Sequence, residues 1–164
     1  LIGGLGMGFT LRAALARVQH DAQVFVAELV PGVIAWAKGP LSDVFKGSLD
    51  DPRVTLCQTD VGELIRSNNS RFDAILLDVD NGPDGLTREA NDDIYSAKGL
   101  AAARSALREG GILAVWSSDA SPAFTKRLGS AGFHVDEIKV RANGKGRGSQ
   151  HHIWVGKRQT PYRK

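Results

Sequence analysis

The chain opens with Leu1-Ile2-Gly3-Gly4-Leu5-Gly6-Met7-Gly8, in which four of the six residues from Gly3 to Gly8 are glycines. Glycine lacks a Cβ atom, so this backbone can turn sharply and bring its N–H groups close to a nucleoside or a phosphate. The following segment, Phe9 to Val18, has the apolar spacing of a helix. A glycine-rich turn between strand and helix is typical of cofactor sites, although a plain tight turn has the same composition. We therefore predict a nucleoside or dinucleotide site at Gly4, Gly6 and Gly8.

Past this loop, short apolar segments alternate with helical ones, which indicates an α/β fold with a mostly parallel sheet. The predicted strands are Val24 to Ala27, Val54 to Cys57, Phe72 to Leu77, Ile112 to Trp116, Phe133 to Val140 and His152 to Val155. The further predicted helices begin at Pro31, Val61, Asp93 and Pro122, the third reaching Leu107 before a turn at Gly110-Gly111. The last two strands favour an antiparallel hairpin, because their connection is short. We expect a single domain over residues 1–164, with its first strand cut short.

Composition excludes several classes of protein. Of 164 residues, 42% are hydrophobic, and no apolar run approaches the roughly 20 residues of a membrane-spanning helix. Cys57 is the single cysteine, which excludes an internal disulfide and fits a reducing cytoplasm. The basic segment Arg141 to Gly148 lacks interleaved aromatic residues, so nucleic-acid binding is not favoured. His151 and His152 do not predict a metal site, because adjacent strand residues point to opposite faces.

Three acids stand at predicted strand ends, where ligands bind in sheets of this kind. Glu28 lies 20 residues after Gly8, where a carboxylate can accept hydrogen bonds from both hydroxyls of a ribose. Asp60 can accept from an adenine amino group, cap the helix that begins at Val61, or do both. An NAD-binding domain would share the glycine loop and Glu28. The final hairpin and the further acids, including Asp78, favour the fold of S-adenosylmethionine-dependent enzymes instead.

Five segments resemble the spermidine synthase family in order and spacing. They are Ile2 to Gly8, Glu28, Asp51-Pro52-Arg53-Val54, Phe72 to Asp78 and Ala106 to Leu113, and the resemblance extends to about Ser118. It implies a Rossmann-like α/β domain of the methyltransferase type, with a seven-stranded sheet. It also implies binding of decarboxylated S-adenosylmethionine and transfer of its aminopropyl group to a diamine. The family's N-terminal β-domain is absent from this sequence.

The resemblance assigns roles by position. The implied cofactor-binding residues are Gly4, Gly6, Gly8, Glu28 at the ribose, and Asp60 and Val61 beside the adenine. Asp78 matches the first acid of the family's Asp-Ser-Ser-Asp-Pro loop, which takes part in activating the amine. A protonated amine cannot attack carbon until a carboxylate accepts its proton, so Asp78 is the predicted catalytic residue. The next residues, Val79 to Asn81, differ from the family's two serines and second aspartate, which helps to hold the diamine.

Six acids and one arginine occupy the segment from Asp78 to Asp93, a negative charge that suits a cationic ligand, although a solvated loop has a similar composition. The predicted acceptor-binding residues are Asp80, Asn81, Tyr95 and Trp116. The leading hypothesis is a cytoplasmic aminopropyltransferase that uses decarboxylated S-adenosylmethionine or S-adenosylmethionine as co-substrate, without a metal. Its expected acceptor is a small cationic amine. The sequence is also compatible with a homodimer. Two alternatives stay open: an S-adenosylmethionine-dependent methyltransferase, and a family member that binds the nucleoside without turnover.

Overall fold

The computed structural model describes residues 1–79, 82–83, 93–143 and 147–159. Its strands are β1 (Ile2–Gly3), β2 (Val24–Ala27), β3 (Val54–Cys57), β4 (Phe72–Leu77), β5 (Leu107–Ser117), β6 (Phe133–Asn143) and β7 (Arg147–Arg158). The helices bounded within these residues are α1 (Phe9–Leu15), α2 (Pro31–Lys38), α3 (Ser42–Phe45), α4 (Val61–Arg66), α5 (Ala97–Ala106) and α6 (Pro122–Ser130). Within the described ranges, no helix has the length and hydrophobicity needed to cross a membrane.

The strands form one seven-stranded sheet in the order β3-β2-β1-β4-β5-β7-β6. Strand β2 is parallel to both β1 and β3, and β4 is parallel to β5. Strand β7 is antiparallel to both β5 and β6. These directions confirm the predicted Rossmann-like α/β class, with a mostly parallel sheet and an antiparallel C-terminal hairpin. The first strand is short, as expected, with two residues.

The predicted bounds of β2, β3 and β4 and the predicted starts of α4 and α6 agree with the structure. Strands β6 and β7 are longer than predicted, and the bounds around β5 differ. The predicted helix from Asp93 is interrupted at Ser96, whose Oγ accepts the Gly99 N–H at 3.0 Å and caps α5. Strand β5 then begins at Leu107 and contains the glycines that were predicted to form a turn. Its pairing with β4 shifts register before Ile112, and the extra residues form a bulge in which Gly110 has φ 72°.

Contacts divide the chain into two compact units, Leu1–Leu64 and Ile65–Lys164. The first unit contains the parallel strands β1, β2 and β3, the helices α1 to α3, and the part of α4 up to Leu64. Its core includes Ile2, Leu11, Val26 and Phe45, each no more than 2% exposed. Helix α1 is tied to α3 because Arg12 Nη1 donates to the Val44 carbonyl at 2.7 Å. That residues 1–164 act as a single domain stays a prediction.

The segment Asp51 to Val54, part of the family resemblance, has a structural role in this unit. Arg53 donates from Nε and Nη2 to the two carboxylate oxygens of Asp51, at 2.9 and 2.8 Å. Its Nη1 lies 3.3 to 3.4 Å from the carbonyls of Leu15, Val18 and Gln19, at and beyond the end of α1. Hydrogen bonding from Arg53 lowers the pKa of Asp51 to about 2. The pair therefore links the end of α1 to the start of β3.

This ion pair predicts a pH dependence of folding stability. Because the pKa of Asp51 is lower in the folded chain, its stabilisation is present above about pH 4 and is lost as the pH falls towards about 2. We expect Asp51→Asn to reduce the free energy of unfolding at neutral pH and to flatten its fall across that acid range. Urea unfolding at several pH values measures both effects. Asp50→Asn, at an exposed neighbour, is the control, and equal changes in the two variants would contradict the role of the pair.

The second unit is organised around aromatic residues between α6 and the hairpin. Phe124 of α6 is fully buried, with its ring centroid 5.0 Å from that of Trp154 and 5.7 Å from that of Tyr95. Trp154 Nε1 donates to Thr125 Oγ1 at 2.8 Å, so its one polar group is satisfied. His152 Nδ1 lies 2.7 Å from Glu137 Oε1 on the neighbouring strand. These contacts hold α6 against one face of β6 and β7.

Candidate functional site

The glycine loop connects β1 to α1 and makes the sharp turn that its sequence predicted. Gly4, Gly6 and Gly8 have φ angles of 89°, 48° and 71°, in the left-handed region that residues with a Cβ atom rarely adopt. The Gly4 N–H donates to the Ala27 carbonyl of β2 at 2.9 Å, so the loop leaves the sheet directly after β1. A strand, a glycine turn and a helix therefore follow one another as predicted.

The glycines of this loop differ in what surrounds them. A Cβ atom on Gly8 would lie 2.5 Å from the Phe45 ring, so this position is closed by packing. A Cβ atom on Gly6 would meet no atom within 4 Å. Among the described residues, the N–H groups of Gly6 and Met7 also find no acceptor. Gly6 therefore borders open space, with backbone donors available to a ligand.

Glu28 follows β2 and holds the glycine loop through its carboxylate. The Leu5 N–H donates to Oε2 at 3.1 Å, and the Val30 N–H donates to Oε1 at 2.8 Å. The side chain is 9% exposed. Each carboxylate oxygen has a second lone pair, so Glu28 can still accept hydrogen bonds from a ligand. The sequence predicted a carboxylate here but not its contact with Leu5, which depends on the folded position of the loop.

Asp60 and Val61 follow β3, at the same carboxyl edge of the parallel strands as Glu28. Asp60 Oδ1 accepts the Glu63 N–H at 3.1 Å, so Asp60 caps α4, one of the two roles predicted for it. Val61 is 6% exposed as the first residue of that helix. Contact of either residue with an adenine stays a prediction.

Two exposed apolar residues adjoin these groups and were missed in the sequence. Leu29 directly follows Glu28 and is 48% exposed, and Met7 within the glycine loop is 52% exposed. Large apolar side chains so exposed often mark a ligand surface. The sequence did contain a signal for Leu29, because an apolar residue stands there immediately after an acid at a strand end.

In the second unit, Asp78 follows β4 directly and is exposed. Strands β4 and β5 are parallel, and their register pairs Leu77 with Val115. The residues that follow this pair, Asp78 and Trp116, are therefore neighbours at the carboxyl edge of the sheet. The structure thus brings together the predicted catalytic acid and one predicted acceptor-binding residue.

The backbone after Asp78 is supported at two points. Tyr95 is 1% exposed, and its hydroxyl donates to the Val79 carbonyl over a long distance of 3.4 Å. Gly82 has φ 96°, and a Cβ atom there would lie 2.2 Å from Ser117 Oγ at the end of β5. Since Tyr95 is buried, any effect on an acceptor would be indirect, through the backbone beside Asp78.

The other predicted acceptor residues, Asp80 and Asn81, lie outside the described residues. Asp93, at the end of the acidic segment, forms an exposed ion pair with Arg66 at 3.3 Å. No group of three or more His, Cys, Asp or Glu side chains is placed to hold a metal ion in the part of the chain that is described. Of the residues predicted on the acceptor side, Asp78, Tyr95 and Trp116 lie within the described residues, and their roles stay predictions.

Comparisons with known proteins point to one family. A family profile described as the spermine/spermidine synthase domain matches residues 1–129. The polyamine aminopropyltransferase of Sulfolobus acidocaldarius is 38% identical over 79 residues, which are 48% of this chain and 26% of that protein. The polyamine aminopropyltransferase of Mycobacterium tuberculosis is 35% identical over 118 residues, covering 70% of this chain and 22% of that protein. The chain thus spans about a quarter of the length of these relatives.

Solved structures show the same fold. The crystal structure of spermidine synthase from Thermotoga maritima matches with a TM-score of 0.74 at 22% identity, covering 95% of this chain and 52% of that one. Methyltransferase structures are similar as well, with TM-scores of 0.59 to 0.64. The sheet and its C-terminal hairpin are therefore those of the methyltransferase type.

Proposed function

Because the chain belongs to the spermine/spermidine synthase family, we propose that it binds decarboxylated S-adenosylmethionine and transfers the aminopropyl group to an amine. The proposal of nucleoside binding rests on the hydrogen bond from the Leu5 N–H in the glycine loop to Glu28 Oε2, at 3.1 Å. One buried carboxylate thereby orders the loop and retains lone pairs for ribose hydroxyls. A cytoplasmic location belongs to this proposal and is supported by Cys57, which is the single cysteine and is free.

In this proposal, the first unit provides the nucleoside contacts. The free N–H groups of Gly6 and Met7 donate to polar atoms of the ligand, and Glu28 accepts from the ribose. Leu29 offers apolar surface to the adenine, because it is 48% exposed and follows Glu28 directly. Asp60 follows β3 and caps α4, and in this proposal its carboxylate accepts from the adenine amino group.

Asp78 provides the chemistry. The acceptor arrives as an ammonium ion, whose nitrogen has no lone pair, and Asp78 accepts one of its protons directly or through water. The nitrogen then attacks the carbon next to the sulfonium. The new C–N bond forms as the C–S bond breaks, and the bonding electron pair stays on sulfur to give neutral methylthioadenosine. Asp78 suits this proton transfer because it directly follows β4 and is exposed to solvent.

The choice of decarboxylated cofactor rests on charge. Six acids lie between Asp78 and Asp93, and negative potential disfavours a cofactor that bears a carboxylate while attracting one that bears only cations. The same charge reduces the repulsion between two cationic substrates. Intact S-adenosylmethionine is therefore the weaker ligand in this proposal.

Calorimetric titration with decarboxylated S-adenosylmethionine, S-adenosylmethionine and methylthioadenosine tests this function. We expect the decarboxylated form to bind at least about tenfold more tightly than the intact one, a difference of about 1.4 kcal/mol. The opposite preference would contradict aminopropyl transfer and support a methyltransferase, a function that the similar methyltransferase structures allow. Binding of the decarboxylated form without transfer to any amine would support a non-catalytic nucleoside-binding protein.

A further inference from the structure

The backbone at Asp78 lies between two points that the fold holds in place. On one side, Leu77 is buried and pairs with Val115 of the parallel strand β5. On the other side, the Val79 carbonyl accepts a hydrogen bond from the Tyr95 hydroxyl at 3.4 Å. The direction of the Asp78 side chain depends on the backbone torsion angles between these two points. The contact with Tyr95 therefore bears on where the Asp78 carboxylate lies.

Tyr95 is itself anchored at its ring and at its backbone. The ring packs edge-to-face on Phe124 of α6, with planes inclined at 85°. The Tyr95 carbonyl accepts a hydrogen bond from Arg127 Nη1 of the same helix at 3.2 Å. The next residue, Ser96, caps α5 through its side chain. Tyr95 is thus tied to both α5 and α6, and its hydroxyl extends this rigid support to Val79.

The hydroxyl of Tyr95 is not required for packing of the core. Tyr95 is 1% exposed, and its neighbour Phe124 is fully buried without any polar side-chain atom. A buried hydroxyl loses its hydrogen bonds to water, and this loss is costly unless a partner within the protein replaces them. The Val79 carbonyl is such a partner. A tyrosine at this position therefore supports the backbone beside Asp78 in a way that a phenylalanine could not.

Resting on the proposed function, we propose that Tyr95 is a positioning residue for Asp78. Through the Val79 carbonyl, it holds the Asp78 carboxylate in the place where the ammonium ion of the acceptor arrives. A reacting group misplaced by about 1 Å can slow an enzyme by about 10²-fold, so a weaker support lowers kcat. Affinity for the nucleoside does not depend on Tyr95, because the proposed nucleoside contacts belong to the first unit.

Steady-state kinetics of Tyr95→Phe with decarboxylated S-adenosylmethionine and putrescine tests this role, because the variant keeps the ring and removes the hydroxyl. We expect kcat to fall by about three- to tenfold, the equivalent of one neutral hydrogen bond, and the Kd for methylthioadenosine to stay unchanged. Thr125→Val is the matched control, since it removes the hydrogen bond from Trp154 Nε1 in the same aromatic cluster and should retain kcat. An unchanged kcat in Tyr95→Phe, or an equal loss in Thr125→Val, would overturn the proposal.

Hydrogen–deuterium exchange tests the same support without requiring turnover. In Tyr95→Phe, we expect the amide N–H groups of Asp78 and Val79 to exchange at least about threefold faster, and that of Ile75 within β4 to keep its rate. Unchanged exchange at Asp78 and Val79, or an equal acceleration at Ile75, would overturn the role of Tyr95 whether or not the chain is active. Faster exchange at Asp78 and Val79 alone, in a chain that transfers no aminopropyl group, would support the contact and contradict only the proposed function.

Discussion

Asp78→Asn is expected to lower kcat by a factor of about 10² to 10⁴, the usual contribution of a positioned general base. Asparagine has nearly the same shape but cannot accept a proton from the ammonium ion. Affinity for the nucleoside should change little, because the Asp78 carboxylate is assigned to the amine rather than to the cofactor. Steady-state kinetics with the best acceptor, together with calorimetry of methylthioadenosine, separates these two effects.

Asp73→Asn is the matched control for Asp78→Asn. Asp73 lies on the same strand and forms an ion pair with Arg108 at 2.8 Å, with the Asp73 side chain 80% exposed. An ion pair so exposed contributes little to stability, so this variant should retain kcat. Equal losses of kcat and of nucleoside affinity in Asp78→Asn would remove Asp78 from the catalytic role.

Glu28→Gln is expected to weaken both the fold and nucleoside binding. Glutamine has one acceptor oxygen, so the N–H of either Leu5 or Val30 loses its acceptor, at a cost of about 1 to 3 kcal/mol in unfolding free energy. The charged acceptor for the ribose is lost as well. Hydrogen bonds to charged groups contribute about 1.5 to 3 kcal/mol, so the Kd for methylthioadenosine should rise by about one to two orders of magnitude.

Urea unfolding and calorimetry on the same preparations test these two roles of Glu28. Glu109→Gln, an identical change at an exposed residue of β5, should alter neither quantity. A loss of stability with unchanged Kd would leave Glu28 as a support of the loop alone. A rise in Kd with unchanged stability would show that the Leu5 and Val30 contacts contribute nothing to the fold.

Much of this architecture was predictable because the local signals agree with the tertiary packing. Strand β4 was located from the run Phe72 to Leu77, and α6 from Pro122 at its first turn. Glu28 and Asp78 were identified because each directly follows a predicted strand, and ligands bind beyond the carboxyl ends of strands in sheets of this kind. Strand β5 was misjudged, because glycines that usually signal a turn lie in a bulge that is held by pairing with β4.

Other features depend on residues that are distant in sequence. The contact of Glu28 with Leu5 spans 23 positions, and Arg53 reaches carbonyls 34 to 38 positions earlier. Tyr95 was predicted to bind the acceptor, but packing against Phe124 buries it.

Residue type and strand position thus predicted the candidate site residues, because periodicity and strand ends are local properties of a chain. Which of those side chains touch one another depended on strand register and helix packing. The contact of His151 with Trp116 beside Asp78 arises only when β7 pairs with β5 and β5 pairs with β4.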